Sequence, residues 1–179
     1  MRMDRTQKGV AFGMALALLS AIVVFFLSVS FLPRALPLSS DTASRLGLAS
    51  WSALVPCLLL MFCIARLAKH RFFTPDDIHG SGLTSGSDRA KYLQALLQNT
   101  LEQTCLAVPV YAATGALAAP QGLPMIPAAA LLFLVGRLAF FAGYAGGAPA
   151  RAFGFALTFY PTVILLACLL IRGLQDFVG

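Results

Sequence analysis

Long apolar runs separated by short polar segments organise this chain. The apolar runs cover residues 9–32, 46–65, about 125–145 and about 150–171. An α-helix needs about 20 predominantly apolar residues to cross the hydrocarbon core of a bilayer. Each run is therefore predicted to form a membrane-spanning helix.

The first run follows a short basic segment, an arrangement that also begins secretory signal peptides. The apolar part of a signal peptide has only about 7–15 residues, and this run is longer. We therefore predict a retained helix, with residues 1–45 forming this helix and its connecting turn. Gly9 and Gly13 at its start have the spacing of close helix packing, although such pairs also recur by chance.

A further helix is predicted over about residues 89–118, and its first half is unusually polar. Ser87 or Asp88 can cap this helix, since either side chain can accept hydrogen bonds from the free amides of the first turn. Residues 72–87 are hydrophilic and are predicted to form a flexible cytoplasmic loop. The polar half carries amide, carboxylate and phenol side chains: Tyr92, Gln94, Gln98, Asn99, Glu102 and Gln103. It is expected to face protein or water and not lipid.

The composition excludes an ordinary soluble domain. Hydrophobic residues make up 59% of the 179 residues and charged residues 11%, and the mean hydropathy is +0.82. The net charge is +6, and the basic residues that produce it lie in short clusters beside apolar runs. This distribution indicates membrane orientation and not nucleic-acid binding. A cytoplasmic N-terminus places all 13 basic residues except Arg34, Arg45 and Arg172 on the cytoplasmic side. We predict an all-α integral membrane protein with five spans.

The cysteines and histidines do not predict a metal site. The four cysteines lie inside apolar runs without Cys-x-x-Cys spacing, which is typical of small buried hydrophobes. His70 and His79 share one hydrophilic loop that has no second set of ligands nearby.

One arginine, Arg137, lies inside the third apolar run, at about residues 125–145, with no acidic residue near it in sequence. An uncompensated charge in hydrocarbon costs several kcal/mol, so an intramembrane charge is a candidate for a functional site. At a rise of about 1.5 Å per residue, Arg137 and Glu102 reach similar depths from the cytoplasmic ends of their helices. We therefore predict an ion pair between them, either as part of a site or as a structural pair that fixes helix packing.

A polar cleft is predicted around this pair. Tyr144 follows Arg137 on the same helical face, and Arg151 opens the next helix. With Asn99 and Glu102, these side chains suit a small, multiply charged ligand, because guanidinium groups bind carboxylates bidentately. Taken alone, Tyr144 is typical of an interfacial aromatic residue, Arg151 of a topology determinant, and Asn99 of interhelical hydrogen bonding.

The joint spacing resembles a known family. Gly-Arg-x-x-(Tyr/His/Phe)-x-x-x-Tyr, with an arginine seven residues later and an Asn-x-x-Glu on an earlier helix, resembles the membrane-associated proteins in eicosanoid and glutathione metabolism (MAPEG). The matching positions are Asn99, Glu102, Gly136, Arg137, Phe140, Tyr144 and Arg151. The resemblance covers about residues 46–175. It implies a MAPEG-like four-helix membrane domain at 46–179, with the first helix as an addition outside that core.

The resemblance also implies a function. It would make the protein a membrane-embedded glutathione-dependent transferase or peroxidase that acts on a hydrophobic electrophile delivered from the bilayer. Asn99, Glu102, Arg137 and Tyr144 would hold glutathione, and Arg151 would activate its thiol. The implied assembly is a homotrimer in contact with membrane lipids, in a bacterial inner membrane or in the endoplasmic reticulum of a eukaryote.

Departures from the family pattern keep two alternatives open. Ala95 and Tyr92 stand where family enzymes often carry arginines, and Phe140 stands where several carry tyrosine or histidine. These residues favour a non-catalytic lipid-binding or scaffold protein of the same fold. A proton or ion pathway built on Glu102 and Arg137 is the third class, although the sequence lacks the internal repeats and broken helices typical of transporters.

Overall fold

Five long helices make up the chain in the computed structural model, which describes residues 3–35, 41–80, 83 and 85–178. The long helices are α1 (Arg5–Ala35), α2 (Thr42–Phe73), α3 (Asp88–Leu117), α4 (Met125–Gly143) and α5 (Ala148–Val178). Short 3₁₀ turns lie at Pro75–Asp77, Pro120–Gly122 and Tyr144–Gly146. The described residues contain no strand, and the predicted all-α class is confirmed.

Within the described residues, four helices are long and apolar enough to cross a membrane: α1, α2, α4 with its flanking turns, and α5. α3 has 30 residues but does not meet this criterion, because its first half is polar. In that half, Gln103 is buried and Thr100 donates to the carbonyl of Leu96 within α3, whereas Gln98 and Glu102 are exposed. That the polar half avoids lipid stays a prediction. That α3 crosses the membrane stays a prediction.

Two helices extend further than their apolar runs. α2 was predicted to end near residue 65 and continues to Phe73, so the first residues of the predicted loop at 72–87 are helical. α5 was predicted to end near residue 171 and continues to Val178. The added turns carry charged side chains with good helix propensity, and hydropathy alone underestimates helices that continue into water. The predicted turn at 33–45 is too long, because residues 33–35 belong to α1 and residues 42–45 to α2. Residues 36–40, between them, lie outside the described residues.

A buried aspartate ties the α2–α3 connection to both helices. Of the two predicted caps, Ser87 and not Asp88 is the N-cap of α3, and its Oγ accepts from the backbone amide of Ala90 at 3.1 Å. Asp77 Oδ2 accepts from Ser87 Oγ at 2.6 Å and contacts His70 Nε2 at 2.8 Å, while Oδ1 accepts from the Ser87 amide at 2.7 Å. These hydrogen bonds, those from Ser87 foremost, hold the pKa of Asp77 below its ordinary value.

The opposite end of α3 is closed by a cation. Arg45, on the first turn of α2, donates from Nε to the carbonyl of Gly115 at 3.0 Å and from a terminal nitrogen to the carbonyl of Ala118. A guanidinium at this end satisfies carbonyls that have no partner within the helix and opposes the negative end of the helix dipole.

Glycines bring α4 and α5 into backbone contact. A Cβ on Gly154 would overlap the backbone nitrogen of Phe140, and a Cβ on Gly136 would lie 3.0 Å from the carbonyl oxygen of Gly154. Between membrane helices, packing contacts and interhelical hydrogen bonds supply the stability, and small residues permit both. The close approach places Arg137, next to Gly136, directly against α5.

We predict that Asp77→Asn loosens the α2–α3 connection at neutral pH. The asparagine can still accept from the Ser87 amide, but its NH₂ group replaces the oxygen that faces Ser87 Oγ and His70. Amide hydrogen exchange over residues 74–87 should accelerate. Asp76→Asn is the matched control, because Asp76 is exposed and leaves the cluster intact. Equal exchange in both variants would contradict this assignment.

The same carboxylate gives a pH dependence. Because the folded-state pKa of Asp77 is lowered, its contribution to stability is present above its unfolded pKa, whose ordinary value is 3.8. That contribution is lost as the pH falls from this value through the folded pKa. Opening of the 74–87 segment, measured by exchange or limited proteolysis, should therefore increase below this value and not between pH 5 and 8.

Candidate functional site

A cleft of about 470 Å³ opens at the end of the bundle where α1, α3 and α5 begin. Its walls come from α1, α3, α4 and α5, and α2 contributes no lining residue. A cleft of this size lies within the range of small-molecule sites. Of the site residues predicted from the sequence, the cleft brings together Asn99, Glu102, Tyr144 and Arg151.

The α3 wall of the cleft is polar. Gln98 and Asn99 line it side by side, and Glu102 lines it about one helical turn later. Gln98 Nε2 donates to Glu102 Oε1 at 3.0 Å, and the Glu102 side chain is otherwise exposed. The wall therefore presents a hydrated carboxylate beside two amides, which can receive an ammonium and a carboxylate of one ligand.

Arg137 lies directly behind this wall and is fully buried. One terminal nitrogen donates to Asn99 Oδ1 at 2.7 Å and the other to Thr158 Oγ1 at 2.8 Å. The guanidinium carbon also lies 4.3 Å from the centroid of the Phe140 ring, within cation–π distance. Its Nε has no partner among the described residues. Arg137 thus joins α3, α4 and α5 at one point.

The predicted Glu102–Arg137 ion pair is wrong. Among the described residues, neither Glu102 nor Arg137 takes part in an ion pair within 4.0 Å. Asn99, one turn earlier on α3, meets the guanidinium instead, and Glu102 lies on the open cleft. Burying both ions would cost several kcal/mol of desolvation for each. Two neutral oxygens and an aromatic face contact Arg137 instead, and the Glu102 side chain stays exposed.

Aromatic rings connect the two ends of the cleft. The guanidinium carbon of Arg151 lies 4.6 Å from the Tyr144 ring centroid. Tyr144 packs edge-to-face against Phe140 and Tyr92, with centroids 5.2 Å apart in each pair. Arg151 is half-buried and lines the cleft, so its charge is available to a ligand there.

Of the positions that depart from the family pattern, Ala95 and Phe140 line the cleft, and Tyr92 packs behind it on Tyr144. Ala95 lines it with a methyl group and Phe140 with a ring that cannot donate a hydrogen bond. Tyr92 packs on Tyr144 and has the Arg89 guanidinium 5.3 Å from its own ring centroid. A second cleft of about 360 Å³ shares Ala95 and Gln98 with the first and contains the cations Arg71 and Lys91. Positive charge is therefore present beside Ala95, although not on it.

Sequence reasoning missed two contributions to this site. Thr158 is one of two hydrogen-bond acceptors for Arg137, and nothing in the α5 sequence distinguishes it from an ordinary threonine. Val10 and Met14 place α1 in the cleft wall. The Gly9 and Gly13 pair was the available signal for close packing of α1, but it does not indicate which helix is approached.

The MAPEG family sequence model matches residues 48–171, which is more than half of the chain. The chain belongs to the MAPEG family. Among curated proteins and among solved structures there is no significant match. MAPEG membership indicates a role in glutathione or eicosanoid metabolism. The matched segment covers most of α2 through most of α5, so α1 lies outside the part that defines the MAPEG family.

We predict that Thr158→Val destabilises the protein by about 1–2 kcal/mol, because it leaves one nitrogen of a buried guanidinium without an acceptor. Thr162→Val is the matched control. Thr162 lies one turn further along α5, is equally buried, and its Oγ1 has no hydrogen-bond partner among the described residues. Reversible unfolding in detergent should separate the two variants. Equal losses would show that Arg137 does not depend on Thr158.

Proposed function

We propose that this protein is a membrane glutathione-dependent transferase or peroxidase, with Arg151 as the residue that activates the thiol. The observation that carries the proposal is the placement of Arg151 and Tyr144 in one cleft with Asn99 and Glu102. A half-buried cation and a polar wall then face the same volume. Glutathione requires both, because it carries a thiol together with ammonium and carboxylate groups.

Glutathione lies along α3 in this proposal. The Glu102 carboxylate receives its ammonium group, and the Asn99 amide donates to a carboxylate or peptide oxygen. The cations of the adjoining cleft, Arg71 and Lys91, attract the remaining carboxylate and take the part of the arginines that are absent at Tyr92 and Ala95. The sulfur then points toward α5, where Tyr144 and Arg151 meet.

Arg151 acts on the thiol by charge. A guanidinium within hydrogen-bonding distance favours thiolate over thiol and lowers a pKa that begins near about 8.5. A shift of about 1–3 units raises the thiolate fraction at pH 7 by roughly tenfold or more. The thiolate then attacks an electrophilic carbon, a carbon–sulfur bond forms, and the leaving group departs with the bonding electrons. The thiol proton is released to solvent through the open cleft.

Arg137 is a positioning residue in this proposal and does not contact glutathione. It is fully buried, and its hydrogen bond orients the Asn99 amide so that the NH₂ group, and not the oxygen, faces the cleft. This replaces the direct contact that the sequence suggested. The proposal also includes a homotrimer with a cytoplasmic N-terminus, as family resemblance and the distribution of basic residues imply.

We predict that Arg151→Ala abolishes the thiolate signal of bound glutathione. Titration of the detergent-purified protein at pH 7, followed by thiolate absorbance, should show the signal in the wild type and at least about a tenfold loss in the variant. Arg66→Ala is the matched control, since Arg66 contacts Phe62 and lies outside the cleft. No binding at millimolar glutathione, or equal signals in the wild type and Arg151→Ala, would contradict the proposal.

A second function is favoured by Ala95 and Phe140, which line the cleft without hydrogen-bonding groups. These side chains fit a non-catalytic protein that holds a lipid in the same cleft. Mass spectrometry of the purified protein distinguishes the two functions. Lipid that is bound in stoichiometric amount and that glutathione does not displace at any concentration supports the scaffold function. Displacement of the lipid by glutathione supports the enzyme.

A further inference from the structure

The helix outside the family match is part of the cleft. Val10 and Met14 of α1 line it together with residues of α3, α4 and α5. α1 packs on α5 and α4, and α3 packs on α2 and α5, so α1 and α3 flank the cleft from two sides. Removing α1 would leave the cleft without one of these walls.

Close packing fixes the position of this wall. A Cβ on Gly13 would lie 3.1 Å from the backbone nitrogen of Phe153, and a Cβ on Gly9 would lie 3.0 Å from Cβ of Pro149. Ala17 and Ala21 continue the same contact deeper in the bundle and are fully buried. The backbone of α1 is therefore held against the first turns of α5, beside Arg151.

The two flanking walls differ in polarity. The α3 wall carries amides and a carboxylate, whereas the α1 side is formed by Val10 and Met14 with Ala152 and Phe155 of α5. The Phe155 ring stacks on Phe159, with centroids 5.9 Å apart and planes inclined by 25°. An aromatic ring and a flexible thioether thus line the same cleft, two side chains against which a flat ring can pack.

We propose that α1 completes the subsite for the hydrophobic co-substrate, and that Val10 and Met14 of this additional helix select which flat, neutral aromatic electrophile packs against Phe155. Its role as a co-substrate rests on the function proposed above, but its binding does not. Arg151 lies one turn before Phe155, at the boundary between the polar and apolar walls. A sulfur held beside Arg151 therefore meets the edge of a ring that occupies the apolar side. Val10 and Met14 determine which rings fit.

Fluorescence of a tryptophan placed on α1 tests this subsite without glutathione. The chain has one tryptophan, Trp51, which is exposed on α2 and is first replaced by phenylalanine. Met14→Trp then reports on the cleft, and Leu16→Trp reports on an exposed position of α1 outside it. The two positions are matched, since Met14 is 37% and Leu16 45% exposed. The probe is 1,3-dinitrobenzene, a flat nitroarene that quenches indole on contact and lacks a leaving group.

Saturable quenching in Met14→Trp, with only linear quenching in Leu16→Trp, is the expected result. Identical quenching curves at the two positions would overturn the proposal, because both would then report partition into detergent or lipid. Should Met14→Trp fail to fold, Val10→Trp replaces it, since Val10 lines the same wall. Linear quenching there overturns the proposal equally.

Conjugation kinetics then test the specificity role. Met14→Ala should change the ratio of kcat/KM values for a one-ring and a two-ring haloarene by about tenfold, while the KM for glutathione stays constant. An unchanged ratio, or an equal change in Leu16→Ala, would overturn the specificity role. Saturable quenching without glutathione binding would leave the subsite intact and contradict only the proposed transferase function. Glutathione binding without saturable quenching would contradict the subsite and leave the proposed transferase function intact.

Discussion

A single buried guanidinium determines how the polar half of this membrane bundle is arranged. Among the described residues, Arg137 has no carboxylate within ion-pair distance. It donates to Asn99 of α3 and to Thr158 of α5, and it lies against the face of Phe140. In a low-dielectric interior each of these contacts is strong, and a buried polar group that lacks its hydrogen bond lowers stability. The three helices that form the polar side of the cleft are therefore held in register by one side chain. The glycine contact between α4 and α5 makes its reach to Thr158 possible.

In this arrangement the two arginines have different roles. The buried cation has a structural role behind the cleft, and the half-buried Arg151 remains accessible within it. Glu102 is not neutralised by Arg137 and stays open to solvent, where it can meet a cationic group of a ligand. Had the predicted ion pair formed, the cleft would have lost both its carboxylate and the orientation of Asn99. The charges left in the cleft are those that a thiol peptide with ammonium and carboxylate groups complements.

Much of this could be predicted from the sequence. Hydropathy located the helices, the Ser87 cap followed from the chemistry of a helix start, and the spacing of Asn99, Glu102, Tyr144 and Arg151 brought four cleft residues together. The partner of Arg137 could not be predicted, since depth along a helix does not state which of two residues one turn apart faces inward. Thr158 and the α1 wall were missed because they depend on which helices are neighbours. Small residues permit close packing in any apolar helix and do not indicate which neighbouring helix is contacted.

The central claim is that Arg137 affects ligand binding in the cleft only by orienting the Asn99 amide. A double-mutant cycle on glutathione affinity tests this claim most directly. The dissociation constants of Asn99→Ala, Arg137→Met and the double variant would be measured against the wild type. Contacting residues that act as one unit are non-additive by about 0.5–3 kcal/mol. The account predicts that the double variant binds glutathione no more weakly than Asn99→Ala alone. Effects that multiply, or a wild type that does not bind glutathione, would contradict it.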